Sequence, residues 1–317
     1  MISQWFRSVV KSLTVYKFED LQIATENFSQ YNRIKVSTVY KGSLKGDNIA
    51  IKVMQGDVFS EINILQKINH SNILKLSGFC GHDSKTYLVY EWAENGSLSD
   101  WLHSKQHQTS ITLQWNQRVQ IAYDVANAMN YLHKYTTTPY IHKNLKTSNI
   151  LLDANFRAKI SNFGLARSVD KCDQSELQWT WNVVGNPGYM APEYSKNGVV
   201  TPKLDIFALG VVILELLSGR DAATGGTSED DLLSGFITGV LEGVGNTREK
   251  LRGFIDPSLR NEYPLDLAFS MAQLARNCVD YDLNARPSMS ELFITLLKIL
   301  QLSDWYPYDS MSISSGR

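Results

Sequence analysis

The apolar pattern of this 317-residue chain changes once, and that change constrains its fold more than any other feature. From Arg33 to about Trp92 the runs are β-type, at residues 37–40, 48–54 and 87–90. They are interrupted by one helical stretch in which Ile62, Leu65 and Ile68 recur. After Glu94-Asn95-Gly96 the spacing becomes helical: Ile121, Val125, Met129 and Leu132 form one stripe, and Leu292, Leu296 and Ile299 another. The chain therefore reads as an α+β, two-lobed protein, with a small antiparallel sheet carrying one helix followed by a mainly helical lobe.

Bulk properties remove several classes of function. A hydrophobic content of 43% can fill a large core, and 20% charged residues beside 11% aromatics is unlike a disordered chain. With 31 Lys and Arg against 32 Asp and Glu, no excess charge draws the protein to nucleic acid or anionic lipid. Cys80, Cys172 and Cys278 lie far apart without a C-x-x-C pair, which predicts reduced thiols in a cytosolic compartment and argues against a disulfide framework or zinc ribbon. The apolar run at 206–214 is too short to cross a bilayer, so any membrane anchor is expected outside this sequence.

Residues 1–30 read as a flank with a short amphipathic helix over Phe18–Ala24. The remaining boundaries fall at 31–92 for the first lobe, 93–302 for the second and 303–317 for a tail. No internal repeat is present, and residues 222–228 read as a surface loop.

Five ordered elements carry the chemistry. Ile49-Ala50-Ile51-Lys52 matches the strand lysine pattern V-A-I-K of protein kinases, and Glu61 stands nine residues on, where a helix carboxylate could hold that lysine against phosphates. Ile141-His142-Lys143-Asn144-Leu145-Lys146-Thr147-Ser148-Asn149 has the spacing of H-R-D-x-x-x-x-N; Asn162-Phe163-Gly164 occupies the D-F-G place, and Ala191-Pro192-Glu193 follows. With the strings 21–29, 68–73, 88–98, 188–194 and 284–289, the chain resembles a plant receptor-like kinase domain, and more narrowly the intracellular domain of a lysin-motif (LysM) receptor-like kinase of the pseudokinase type. The resemblance covers residues 16 to 302 and implies the bilobal protein-kinase fold.

By that resemblance Lys52, Glu61, Val39, Ala50, Leu151 and the gatekeeper Tyr90 would form the ATP site, and Lys146 and Asn149 would serve the catalytic loop. Asn149 and Asn162 would face Mg²⁺; Glu193 with Arg286 would form a structural ion pair; Asp205 would brace the catalytic loop, and Leu65, His142 and Phe163 would stack as a spine. The departures are as specific as the matches. Asn32, Ile34 and Ser37 occupy the three glycine places of the phosphate loop, Asn144 the place of the catalytic base, and Asn162 that of the metal-binding aspartate. Lys143 replaces an arginine that would pair with a phosphate, and Asn186 stands where many relatives carry threonine.

ATP binding is accordingly expected to be weak or absent, and Mg²⁺ binding doubtful. The favoured reading is a scaffold phosphorylated in trans by an active receptor-like kinase, on the cytoplasmic side of the plasma membrane, within perception of chitin or lipochitin oligosaccharides as kinship implies. A weakly active Ser/Thr kinase and an unrelated fold remain alternatives. Ser8, Ser12, Thr14, Thr25, Ser310, Ser312, Ser314 and Ser315 are the expected acceptors, taken as mobile. The segment 179–184, with Trp179 and Trp181, alternates like a half-buried strand packed on its own lobe, or else offers an aromatic docking surface.

Overall fold

The computed structural model describes residues 13–35, 37–56, 58–103, 112–169, 178–223, 232–242 and 245–304. The first lobe is a five-stranded sheet in the order β1-β4-β5-β3-β2, from β1 (Thr14–Val15), β2 (Val39–Leu44), β3 (Asp47–Gln55), β4 (Leu76–His82) and β5 (Lys85–Glu91). Every pairing is antiparallel except β1 on β4.

Period-two alternation divides this sheet between two cores. Ile49, Ile51, Tyr87 and Val89 point to the face covered by α1 (Phe18–Ala24), whose Leu21 is fully buried. Leu88 and Tyr90, from the same strand, point to the opposite face and join the main core with Ile62 and Leu65 of α2 (Phe59–Leu65). Lys52 shares this second face because it lies two residues from Ala50 and pairs across from Leu88.

The stretch expected as a mere flank is packed into the lobe from Leu13 onward. Thr14 pairs with Gly78, where an added Cβ would sit 2.0 Å from the Thr14 carbonyl oxygen, so only glycine permits the approach. One expected acceptor is corrected: Thr25 is fully buried, its hydroxyl donating to the Leu21 carbonyl at 2.8 Å, and is not a mobile surface hydroxyl. Thr14 is exposed but sits in the β1 ladder; Ser8, Ser12 and the four tail serines lie outside the described residues.

The second lobe is built on α3 (Leu98–His103), α4 (Trp115–Asn130), α5 (Pro192–Asn197), α6 (Lys203–Ser218), α7 (Leu233–Glu242), α8 (Thr247–Phe254), α9 (Leu265–Cys278) and α10 (Met289–Asp304). Ile121, Val125, Met129 and Leu132 are all fully buried, as their stripe requires. The apolar run at 206–214 lies in α6, where every residue from Leu204 to Ser218 is buried. A helix apolar all round belongs at the centre of a lobe, and α6 packs against both α4 and α9. Close approach to α9 depends on Gly210, where a Cβ would fall 2.6 Å from that of Cys278.

Candidate functional site

Between the lobes, Lys52 on β3 and Glu61 on α2 meet, with Nζ 3.2 Å from Oε2. Glu61 is 1% exposed, so its carboxylate must be satisfied internally. Three donors do so: Lys52, the Tyr90 hydroxyl at 2.9 Å from Oε1, and the Phe163 N–H at 3.3 Å from the same oxygen. Burial and the neighbouring Glu61 charge push the Tyr90 phenol well above its ordinary pKa, keeping it a donor. Sequence reasoning placed Tyr90 as a gatekeeper and missed this bond, because a tyrosine hydroxyl 29 positions from its acceptor leaves no local signal.

The same lysine lies 3.2 Å from Asn162 Oδ1. Asn162 Nδ2 in turn reaches Asn149 Oδ1 at 3.4 Å, and Asn149 Nδ2 donates to the Asn144 carbonyl at 2.7 Å. A continuous polar chain thus runs Glu61, Lys52, Asn162, Asn149, Asn144. Asn162 has φ of +68°, a left-handed conformation that asparagine tolerates, and this aims its amide into the cleft. Both side chains here are neutral amides bonded to protein groups, and the Glu61 carboxylate is bonded to Lys52, Tyr90 and Phe163. Among the described residues no group of three or more His, Cys, Asp or Glu could hold a metal ion.

Lys146 and Asn144 are half-buried on the loop at 142–149, and Asn149 is buried. Val39, Ala50 and Leu151 are each half-buried; Val39 pairs opposite Lys52, Ala50 opposite Tyr90, and Leu151 bridges to Ser97. The turn before Val39 is fixed by side chains where glycines would leave it free. Ser37 Oγ donates to the Ile34 carbonyl and accepts the Val39 N–H at 3.1 Å, Arg33 Nε donates to the Ser37 carbonyl at 2.7 Å, and Asn32 donates to the Thr25 carbonyl at 3.1 Å. Lys35 at its tip pairs with Asp100 of α3.

The supporting elements are in place. Asp205 is fully buried and accepts the backbone N–H groups of His142 and Lys143 at 2.8 and 2.9 Å, with His133 Nε2 at 2.8 Å. Burial alone would raise its pKa, but these bonds hold its carboxyl below the ordinary range. The brace also fixes Lys143, whose φ is +64°. His142 packs edge-on against Phe163 with centroids 4.8 Å apart, Leu65 is buried, and burial lowers the His142 pKa. Arg286 binds Glu193 through two bonds of 2.7 and 2.8 Å.

The half-buried strand expected over 179–184 is corrected. The strand, β6, spans only Gln178–Trp179, paired with Val199–Val200; Trp179 is 60% exposed and Trp181 fully so. Among the described residues the strand has a single two-residue partner, and both rings are exposed. Among the described residues no helix is long and apolar enough to cross a membrane.

Residues 29–296 match the family model described as protein tyrosine and serine/threonine kinase. The chain is 56% identical to Protein LYK5 of Arabidopsis thaliana over 312 residues, covering 96% of this chain and 46% of that protein. It is 38% identical over 307 residues to LysM domain receptor-like kinase 3 of Arabidopsis thaliana, covering 92% and 47%. Chitin elicitor receptor kinase 1 of Physcomitrium patens is 37% identical over 320 residues, covering 95% and 49%. The chain thus spans about half the length of these relatives. It belongs to the protein tyrosine and serine/threonine kinase family, and LysM receptor-like kinases are its relatives within it.

Proposed function

We infer that this chain is a docking domain with a kinase fold that has given up phosphoryl transfer. It acts in a LysM-type receptor by pairing with a catalytically competent receptor kinase that phosphorylates it. The observation that carries the reading is the run of neutral amides: Asn162 accepts from Lys52 through Oδ1 and donates to Asn149, and position 144, where a base would stand, is also asparagine. An amide cannot take a proton from a substrate hydroxyl. Losing a positioned base costs about 10²- to 10⁴-fold, or roughly 3 to 5.5 kcal/mol of barrier. The weakened metal site adds to that loss without summing simply. Nucleotide binding is then weak and nearly independent of Mg²⁺, because Lys52 and the half-buried pocket residues remain while the charged metal ligand does not. In this reading the receptor perceives chitin-type oligosaccharides, and the domain lies on the cytoplasmic side of the plasma membrane, attached through parts of the protein beyond this sequence.

The formed Lys52 and Glu61 ion pair favours a second reading, a weakly active ATP-dependent Ser/Thr kinase. One experiment separates the two. Purified domain is incubated with radiolabelled ATP, Mg²⁺ or Mn²⁺ and a generic substrate, beside a Lys52→Ala variant. Equal incorporation supports the docking domain, and lysine-dependent transfer supports the kinase.

A further inference from the structure

The turn before Val39 is tied to both lobes. Within the first lobe, Asn32 Nδ2 donates to the Thr25 carbonyl at 3.1 Å, and Arg33 Nε and the Ser37 hydroxyl close the turn on itself. Lys35 reaches out of that lobe and pairs with Asp100 of α3 in the second. Lys35 stands four residues before Val39, and Asp100 three residues after Ser97, which bridges to Leu151. The pair therefore joins the chain that carries Val39, on one side of the cleft, to the chain that packs on Leu151, on the other. Lys35 has φ of +50°, a left-handed conformation uncommon for lysine, which persists where the surrounding bonds over-determine it. Burial would raise the Asp100 pKa, but the bond from Lys35 and those from Ser97 hold its carboxyl below the ordinary range.

We propose that the pair of Lys35 with Asp100 is a strap that holds the cleft closed against a nucleoside, so that a ligand enters only when the pair opens. The proposal rests on the reading of weak nucleotide binding and gives it a cause separate from the metal site. Its size is limited. The Lys35 side chain is 66% exposed, and an ion pair so open to solvent shifts an equilibrium by about fivefold at most. Closure lowers apparent affinity in proportion to the fraction of molecules that stand open, so releasing the strap returns about two- to fivefold.

The probe is N-methylanthraniloyl-adenosine, titrated by fluorescence into the purified protein. It carries no phosphate, so neither side chain attracts or repels it as a charge. Lys35→Gln and Asp100→Asn are each expected to bind it about two- to fivefold tighter than the wild type, and the double variant no tighter than either. Exchanging the charges, Lys35→Asp with Asp100→Lys, should return binding to the wild-type level. Added NaCl should strengthen binding by the wild type and leave the single variants unchanged. Hydrogen exchange without ligand reads the strap directly. The N–H groups of Ile34 and Val39, bonded to the Val39 carbonyl and to Ser37 Oγ, should exchange faster in Asp100→Asn, while those of α4 keep the wild-type rate. Weaker binding by Lys35→Gln assigns Lys35 to the ligand and overturns the proposal. Gains that add in the double variant, unchanged exchange, or variants that bind the probe no better than the wild type overturn it as well. Radiolabel transfer on the same preparations separates the two ideas: Lys52-dependent transfer by the wild type overturns the docking reading, whereas unchanged variants overturn only the strap.

Discussion

Lys52 sits between Glu61 and Asn162, 3.2 Å from an oxygen of each, and so holds one charged and one neutral acceptor together. A carboxylate at 162 would give the cleft a second negative group and a strong oxygen ligand for a hard cation.

Asn162→Asp is therefore expected to introduce Mg²⁺-dependent nucleotide binding. A thermal-shift titration reads it out, since binding stabilises by an amount tied to affinity. The wild-type protein should shift little with ATP and equally with or without Mg²⁺, whereas the variant should gain a Mg²⁺-dependent shift. A large Mg²⁺-dependent shift in the wild type would contradict the weak site.

Tyr90→Phe removes the shortest bond to Glu61 while keeping the ring's packing. Glu61 retains the Lys52 and Phe163 donors, so the loss should be that of one hydrogen bond to a charged group, about 1.5–3 kcal/mol, read as a lower urea midpoint. An unchanged midpoint would mean that the hydroxyl does not anchor α2.

Arg286→Ala leaves Glu193 without its bidentate partner in a place where the arginine side chain has no exposure. Breaking such a pair from one side costs about 3–5 kcal/mol. Chemical denaturation should show it, and Arg286→Lys should recover only part, because an ammonium cannot make two parallel bonds.

His103 gives a pH signature. Its ring is mostly buried, which alone would lower the pKa, but Glu215 Oε1 at 3.0 Å raises it above the ordinary 6.5. A histidine with a raised folded pKa adds stability that is full below about pH 6.5 and is lost as pH rises through the folded value. Unfolding free energy should thus fall more as pH rises above about 6.5 in the wild type than in His103→Gln. Parallel pH profiles would refute the assignment.

The alternation of Ile49 and Ile51 with Ala50 and Lys52 was enough to set the two faces of β3, since a strand sends successive side chains to opposite sides. Spacing likewise placed the stripe of α4, and the ordered motifs brought Lys52, Glu61, Asn149 and Asn162 together across the lobes. The brace from Asp205 and the ion pair of Glu193 with Arg286 followed from family resemblance and stand in the fold. Local pattern failed where burial depends on distant chain. Thr25 has the polarity of a surface residue, yet it caps helix α1 and is buried with its hydroxyl on the Leu21 carbonyl; Trp179 and Trp181 have the pattern of a half-buried strand, yet the strand ends at Trp179 and both rings are exposed. Only the tertiary structure could decide that Tyr90 bonds Glu61 or that Asn162 bridges Lys52 to Asn149. Those bonds join residues 29, 110 and 13 positions apart, and their geometry is set by how strands, helix and catalytic loop pack, not by any neighbour in sequence.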